Sequence, residues 1–289
     1  RCRHPEHEVA AAARALPGMK ILAGRPKCMV INKRTCSGAT GSMETGKVLL
    51  GEEWVKKVKS VAGGKKFEPQ AADLRWGQHA RCAIVGNGAA LKKRPKGDTI
   101  DKYSAVWRFN SIAGKDPLTM GRAFTRFAGK KTSYRVFSRS PAFDIMTKAL
   151  RLRPSPGERW MFWHSHSRFF FPGIVNQRIH RAEGLLMYSP SLINWMMRGY
   201  FQLRRDLIRL GLGPFTCPKN VNSGLHAVLL AQLLCKETST FGISHLSSLV
   251  NMGHANNRAH KMTAHHSWGF DTMVLRLLRY AGRLDICDG

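Results

Sequence analysis

Hydrophobic positions are unevenly patterned along the chain, and the pattern changes near residue 80. From Arg1 to about Gln78 the apolar residues keep no steady period. Ala, Gly, Lys and Arg dominate, with loop-like runs at Cys36-Ser-Gly-Ala-Thr-Gly-Ser42 and Ala62-Gly-Gly-Lys-Lys66. Residues 1–78 therefore read as a stem or loosely packed basic lead-in with one or two short helices, and residues 79–289 as the folded domain. There, Cys82-Ala-Ile-Val-Gly86 is a short apolar run ending in glycine, which predicts a buried strand leaving into a tight loop, Gly86-Asn-Gly88.

Further strands are predicted at Ala105–Asn110, Tyr134–Phe137, Arg159–Trp163 and Ser239–Ile243, and a closing strand at Leu284-Asp-Ile-Cys287. Between Ser191 and Leu210 the apolar residues Leu192, Trp195, Met196, Tyr200, Leu203, Leu207 and Leu210 recur at steps of three and four, one face of a helix. Glycine and proline over residues 211–218 end it. A second helix starts at Asn222-Ser-Gly224 and runs through Leu225, Leu229 and Leu233, and a third covers Phe270 to Tyr280. Strands alternate with helices from residue 81 onward, which predicts an α/β layered domain on a mainly parallel sheet. No internal repeat is present.

Composition narrows the classes. The 289 residues include 47 Lys plus Arg against 18 Asp plus Glu, a formal charge of +29, yet 43% are hydrophobic and only 22% charged. That is too much apolar material for a disordered basic tail. The charge favours polyanions, so a nucleic-acid or acidic-glycan binding module is one reading. The basic stretches Lys92–Lys96, Arg122–Lys131 and Arg204–Arg209 could then line a groove, with Trp107, Phe124 and Phe127 for stacking. They match no zinc-finger or RNA-recognition signature. No window approaches the roughly 18 apolar residues of a membrane span. Beginning at Arg1 without a cleavable signal pattern, the chain reads as a piece whose targeting segment lies upstream. Seven cysteines, at 2, 28, 36, 82, 217, 235 and 287, form no C-x-x-C pair, which argues against structural zinc and leaves reduced thiols and long-range disulfides both open.

Four places could carry chemistry. The turn after the first strand, Val85-Gly86-Asn87-Gly88, brings backbone N–H groups close to a phosphate, but Leu91 occupies the third glycine position of a dinucleotide fingerprint. A dinucleotide, another nucleotide and a plain turn all remain open. Asn110 ends the second strand, where a cleft would open, or serves as a turn residue. Ser223-Gly224 opens a helix, whose N-terminus suits a phosphate or carboxylate, unless Asn222 or Ser223 is simply its cap. His254, His260, His265 and His266 fall in one short segment, and histidine is the usual base near neutral pH as well as a donor to phosphate. The alternative is a set of solvated histidines in a basic loop.

Read together and in order, these segments resemble the eukaryotic-type sialyltransferases, family 29 of the glycosyltransferases. The large sialyl motif is similar to Arg81-Cys-Ala-Ile-Val-Gly-Asn87, continuing through Ile100-Asp101, Val106-Trp-Arg-Phe-Asn110 and Gly129-Lys-Lys-Thr132. The small motif is similar to Asn222-Ser-Gly224 with Leu229-Leu230, Leu233-Leu-Cys235-Lys-Glu237 and Phe241-Gly242. Tyr188-Ser-Pro-Ser-Leu192 resembles the segment between them. Motif III would begin at His254, and the very small motif would be His266-Ser-Trp-Gly-Phe-Asp271.

The resemblance implies a three-layer α/β/α sandwich of the GT-A-like variant and transfer of sialic acid from its cytidine monophosphate (CMP) conjugate to a hydroxyl of a glycoprotein or glycolipid glycan. It implies inversion without metal or other cofactor, with His266 as general base and His254 on the phosphate. Asn87, Asn110, Ser223 and Gly224 would hold the CMP part of the donor, and Cys82 and Cys235 would form the linking disulfide between the first strand and the small-motif helix. It further implies a Golgi enzyme with a lumenal catalytic domain and a membrane signal-anchor upstream. The chain departs from the family pattern in four places. Gly88 stands where Ser is usual, Asn222-Ser-Gly where Ser-Thr-Gly or Ser-Ser-Gly follows a proline, His254-Ala-Asn-Asn257 in motif III, and Asp271 where Glu is usual. A donor carrying a related 3-deoxy sugar acid, and an inactive relative, are the alternatives those departures raise.

Overall fold

The computed structural model describes residues 7–26, 29, 74–110, 122–152, 154–164, 167, 170–180, 184–215, 221–243 and 267–287. The strands predicted from the apolar runs are all present, with one more beside them. They are β1 (His79–Val85), β2 (Ala105–Phe109), β3 (Tyr134–Phe137), β4 (Arg159–Phe162), β5 (Leu185–Met187), β6 (Cys235–Phe241) and β7 (Asp285–Ile286). Two differences stand out. β5 is only three residues long and is not expected from the pattern; β6 begins four residues earlier than Ser239, directly at the end of the preceding helix. Lys236 and Glu237 in its first half are exposed and charged, whereas Thr238 to Phe241 are buried.

These seven strands form one sheet of order β5-β4-β3-β2-β1-β6-β7, and every described pairing is parallel. A parallel sheet is covered on both faces, so its strands bury both alternating sets of side chains. Cys82 and Ile84 of β1 join Ala105 and Trp107 of β2 in the larger core, while Ala83, Val85 and Val106 join the core on the opposite face. The result is three layers.

On the larger core's side lie α2 (Pro17–Ala23), α7 (Pro190–Arg209), α8 (Ser223–Leu234) and α9 (Trp268–Tyr280). The other side carries α3 (Gly97–Asp101), α4 (Arg122–Ala128), α5 (Arg139–Met146) and α6 (Phe171–Asn176). α1 (His7–Ala15) precedes α2. Within the segment read as a loose lead-in, residues 7–23 are thus helical and partly packed. Gly18 of α2 sits so close to α7 that an added Cβ would lie 2.5 Å from the Leu203 nitrogen, and Met19 and Leu22 are buried in the core. Buried Asp206 of α7 accepts the Gly18 N–H at 2.8 Å, which supplies the first turn of α2 with an acceptor.

α7 matches the expected Ser191–Leu210 helix within one residue, because Ser189 caps it by accepting the Leu192 N–H at 2.9 Å. α8 differs in kind from a one-faced helix. Nearly all its residues, Ser223 and Gly224 included, are buried, so it is a central helix enclosed on all sides.

Cys82 and Cys235 form a disulfide with Cα atoms 6.0 Å apart. Cys235 is the first residue of β6 and the C-cap of α8, so the bond joins two neighbouring strands rather than a strand and a helix body. Cys287, partly exposed, is in no disulfide.

Candidate active site at the carboxyl edge of the sheet

All strands point the same way, so the loops that follow them gather along one edge. Chain order reverses at β1, whose neighbours are β2 on one side and β6 on the other. Beyond the strand ends at such a reversal, the two loops diverge to opposite faces and leave a crevice where ligands bind in open α/β sheets.

Here the loops after β1 and β6 meet closely. Gly86 N–H donates to Phe241 O at 2.7 Å and Gly88 N–H donates to Gly242 O at 2.8 Å. A Cβ at Gly86 would stand 2.3 Å from the Gly242 carbonyl oxygen, so no larger residue fits without moving backbone. Gly88 leads into a short 3₁₀ turn, Ala89–Lys92, in which Leu91 is buried against the apolar layer. No long helix starts there to receive a pyrophosphate, which removes the dinucleotide reading of this turn.

The helix that does open on this edge is α8. Asn87 Nδ2 donates to Phe109 O at 3.3 Å, joining the β1 loop to the end of β2. Asn110 follows with a left-handed φ of 49°, and its Oδ1 accepts the Ser138 N–H at 3.1 Å. Asparagine tolerates that backbone geometry better than other residues with a Cβ. The Phe109 ring lies beside Gly224, where a Cβ would come within 3.1 Å of it. Ser223 Oγ accepts from Trp163 Nε1 at 3.0 Å, and Trp163 stacks on His226 with ring centroids 4.3 Å apart. Asn87, Asn110, Ser223 and Gly224 are therefore brought together at the ends of β1 and β2 and the start of α8.

Asn222 caps α8, its Oδ1 accepting the Leu225 N–H at 2.8 Å. Its Nδ2 donates to Asp271 Oδ2 at 2.7 Å, and Tyr200 Oη donates to Asp271 Oδ1 at 2.7 Å. Asp271, in the first turn of α9, is 5% exposed. Burial pushes its carboxyl up from 3.8 to about 6, against the pull of the two hydrogen bonds, from Tyr200 and then Asn222. Chemically the edge offers amide and hydroxyl groups and the first-turn N–H groups of a helix, a set that suits a ribose and one phosphate.

His254 and His266 lie outside the described residues. Among those described, no three His, Cys, Asp or Glu side chains are grouped as metal ligands, and no helix is long and apolar enough to cross a membrane. The stacking surface expected for nucleic acid is not there at Trp107 and Phe124. Trp107 is fully buried and stacked on Tyr134 at 4.2 Å, and Phe124 is buried under the sheet, because both side chains fill the layers that the parallel sheet must cover. The sequence does not mark the hydrogen bonds that Trp163 and Tyr200 make at this edge, nor the second hydrogen bond of Asn222. An aromatic residue at the end of the predicted strand Arg159–Trp163 is the available signal for Trp163.

Together these features define a three-layer α/β fold on a parallel sheet whose strand order reverses at β1. The family model of glycosyltransferase family 29 (sialyltransferase) matches residues 47–280, and the chain belongs to that family. It is 25% identical over 217 residues to a type 2 lactosamine alpha-2,3-sialyltransferase of Rattus norvegicus and 24% identical over 214 residues to that of Mus musculus. Each alignment covers 68% of this chain, which spans about 61% of those relatives' length. The fold is that of a mammalian sialyltransferase crystal structure, with a TM-score of 0.60 at 17% identity over 98% of this chain and 96% of the other. A mammalian sialyltransferase in complex with Gal-beta-1-3GalNAc-ortho-nitrophenol gives 0.59 at 16% identity, over 100% of both chains.

Proposed function

We propose that the chain transfers sialic acid from CMP-sialic acid to a hydroxyl of a glycan acceptor, with inversion. What supports this reading is that Asn87, Asn110, Ser223 and Gly224 lie at the adjoining ends of β1, β2 and α8 in a member of this family. Their amides, hydroxyl and helix-start N–H groups would bind ribose and phosphate of the CMP portion. His266 would take the proton of the acceptor hydroxyl as that oxygen attacks the anomeric carbon through an oxocarbenium-like state. His254 would donate to the phosphate as charge builds on the departing CMP. The donor carries one phosphate and CMP is a good leaving group, so the step would need no metal.

The compartment would be the Golgi lumen, with a membrane anchor ahead of the domain. The Cys82–Cys235 disulfide supports an oxidising compartment. The test is thermal-shift titration with CMP beside other nucleoside monophosphates, followed by transfer assays on His266→Ala. Expected are a CMP-specific rise in melting temperature that the variant keeps, and a loss of transfer of about 10²–10⁴-fold. A variant that transfers at the wild-type rate overturns the base assignment. No response to millimolar CMP overturns the donor assignment.

A further inference from the structure

Asp271 is a buried acid to which the proposed reaction gives no task. Its two oxygens face two elements, with Tyr200 of α7 donating to one and Asn222, at the start of α8, donating to the other, both at 2.7 Å. Its own N–H donates to Ser267 O at 2.8 Å, which places it inside the first turn of α9. One carboxylate thereby joins three helices.

Asn222 is the informative partner. A side-chain amide has an accepting end and a donating end, and either can face a given neighbour unless its partners select one. Here the Leu225 N–H requires the oxygen at the cap, and a carboxylate, which accepts, requires the nitrogen on the opposite side. Without Asp271 the amide keeps only one of those two restraints. The next two residues are Ser223 and Gly224, so the orientation of this amide sets the end of the helix that opens on the crevice. Exchanging Asn222 for Ser, one bond shorter, and Asp271 for Glu, one bond longer, would keep the reach between the two backbones.

We propose that Asp271 is a positioning residue for the donor site, holding the Asn222 amide that caps α8 and so placing Ser223 and Gly224 for the CMP portion of the donor. This rests on the CMP reading above. A carboxylate that served only to satisfy buried partners would affect overall stability, and would leave donor and acceptor recognition equally touched.

The experiment compares wild type with Asp271→Ala, Asn222→Ala, the double variant and Asp271→Asn. It reads CMP affinity by calorimetry, donor and acceptor KM separately, and hydrogen exchange at the amides of residues 223–225. Each single alanine variant is expected to weaken CMP and raise donor KM by about tenfold, the size of one well-placed hydrogen bond, with acceptor KM unchanged. The double variant should be no worse than the weaker single, because both break one linkage. Asp271→Asn can still accept from Asn222 through its oxygen and donate to Tyr200, so it should stay within about threefold of wild type.

Wild-type CMP affinity in Asp271→Ala with unchanged amide exchange overturns the proposal. So do losses that multiply in the double variant, or an Asp271→Asn loss equal to that of Asp271→Ala. Should an alanine variant not fold, the exchange pair decides. Asn222→Ser and Asp271→Glu are each expected to weaken CMP and together to restore it, and failure of the pair to do better than the singles overturns the coupling. If wild type itself does not bind CMP, the donor reading fails separately. The amide exchange then decides the coupling, faster exchange at 223–225 in Asp271→Ala supporting it and unchanged exchange overturning it.

Discussion

Asp271 also has a consequence for pH. Its carboxyl is raised from 3.8 to about 6 by burial, so the folded chain holds that proton more tightly than the unfolded chain does. The stability this contributes is fully present below about pH 4 and is lost as pH rises through about 6, a change of roughly 3 kcal/mol. Denaturation of wild type and Asp271→Asn at pH 4.5 and 7 should show wild type losing stability relative to the amide variant across that window. Parallel curves would remove the titration from Asp271. At this scale the sequence was readable where a side chain acts through its own backbone position. Asn87 and Asn110 announce themselves by following apolar strands, and Asn222 by opening a helix. The hydrogen bonds of Asn222 to Asp271, 49 residues on, and of Tyr200 to Asp271, 71 residues on, have no local mark.

Glycines show the difference at the scale of elements. Gly86→Ala would drive a Cβ to 2.3 Å from Gly242 O, backbone against backbone, so β1 and β6 must separate. The expected cost is about 1–3 kcal/mol together with weaker CMP binding. Gly269, exposed in the first turns of α9 with nothing within 4 Å of its built Cβ, is the control. Gly269→Ala should gain about 0.5–1 kcal/mol from helix propensity. Thermal denaturation of both variants checks the contrast, and a neutral Gly86→Ala would show that the loops are not interlocked. The long elements were legible because their periods are long enough to count. α7 repeats its apolar face over 20 residues and carries its Ser189 cap, whereas β5 has three residues and α6 has six, with a proline in the first turn. Short elements of that kind are specified by the sheet they pack on.

For the whole molecule, the disulfide is the longest-range covalent restraint among the described residues. It joins positions 153 apart, which in the chain-entropy model removes about 5 kcal/mol of freedom from the unfolded state. Replacing both Cys82 and Cys235 with Ser should lower stability by about 2–5 kcal/mol. Denaturation with and without reductant checks this, and reductant should shift the wild type far more than the variant. The charge of +29 belongs to the same scale. It suits an anionic donor and acidic acceptors, and the aromatic platform that would have favoured nucleic acid is spent on the core at Trp107 and Phe124.

By itself the sequence determined what depends on near neighbours: alternating strands and helices, the glycine turn after β1, the start of α8 at Asn222, and the order of the motifs. Hydrophobic period, backbone freedom and capping act over a few residues, so they are written where they act. Only the tertiary structure decided that β1 lies between β2 and β6, that α8 is enclosed on all sides, and that one carboxylate holds three helices at the edge of the crevice. Those outcomes follow from which apolar faces can be buried together across more than a hundred residues. That choice is made by the packed whole and has no signature in any one segment.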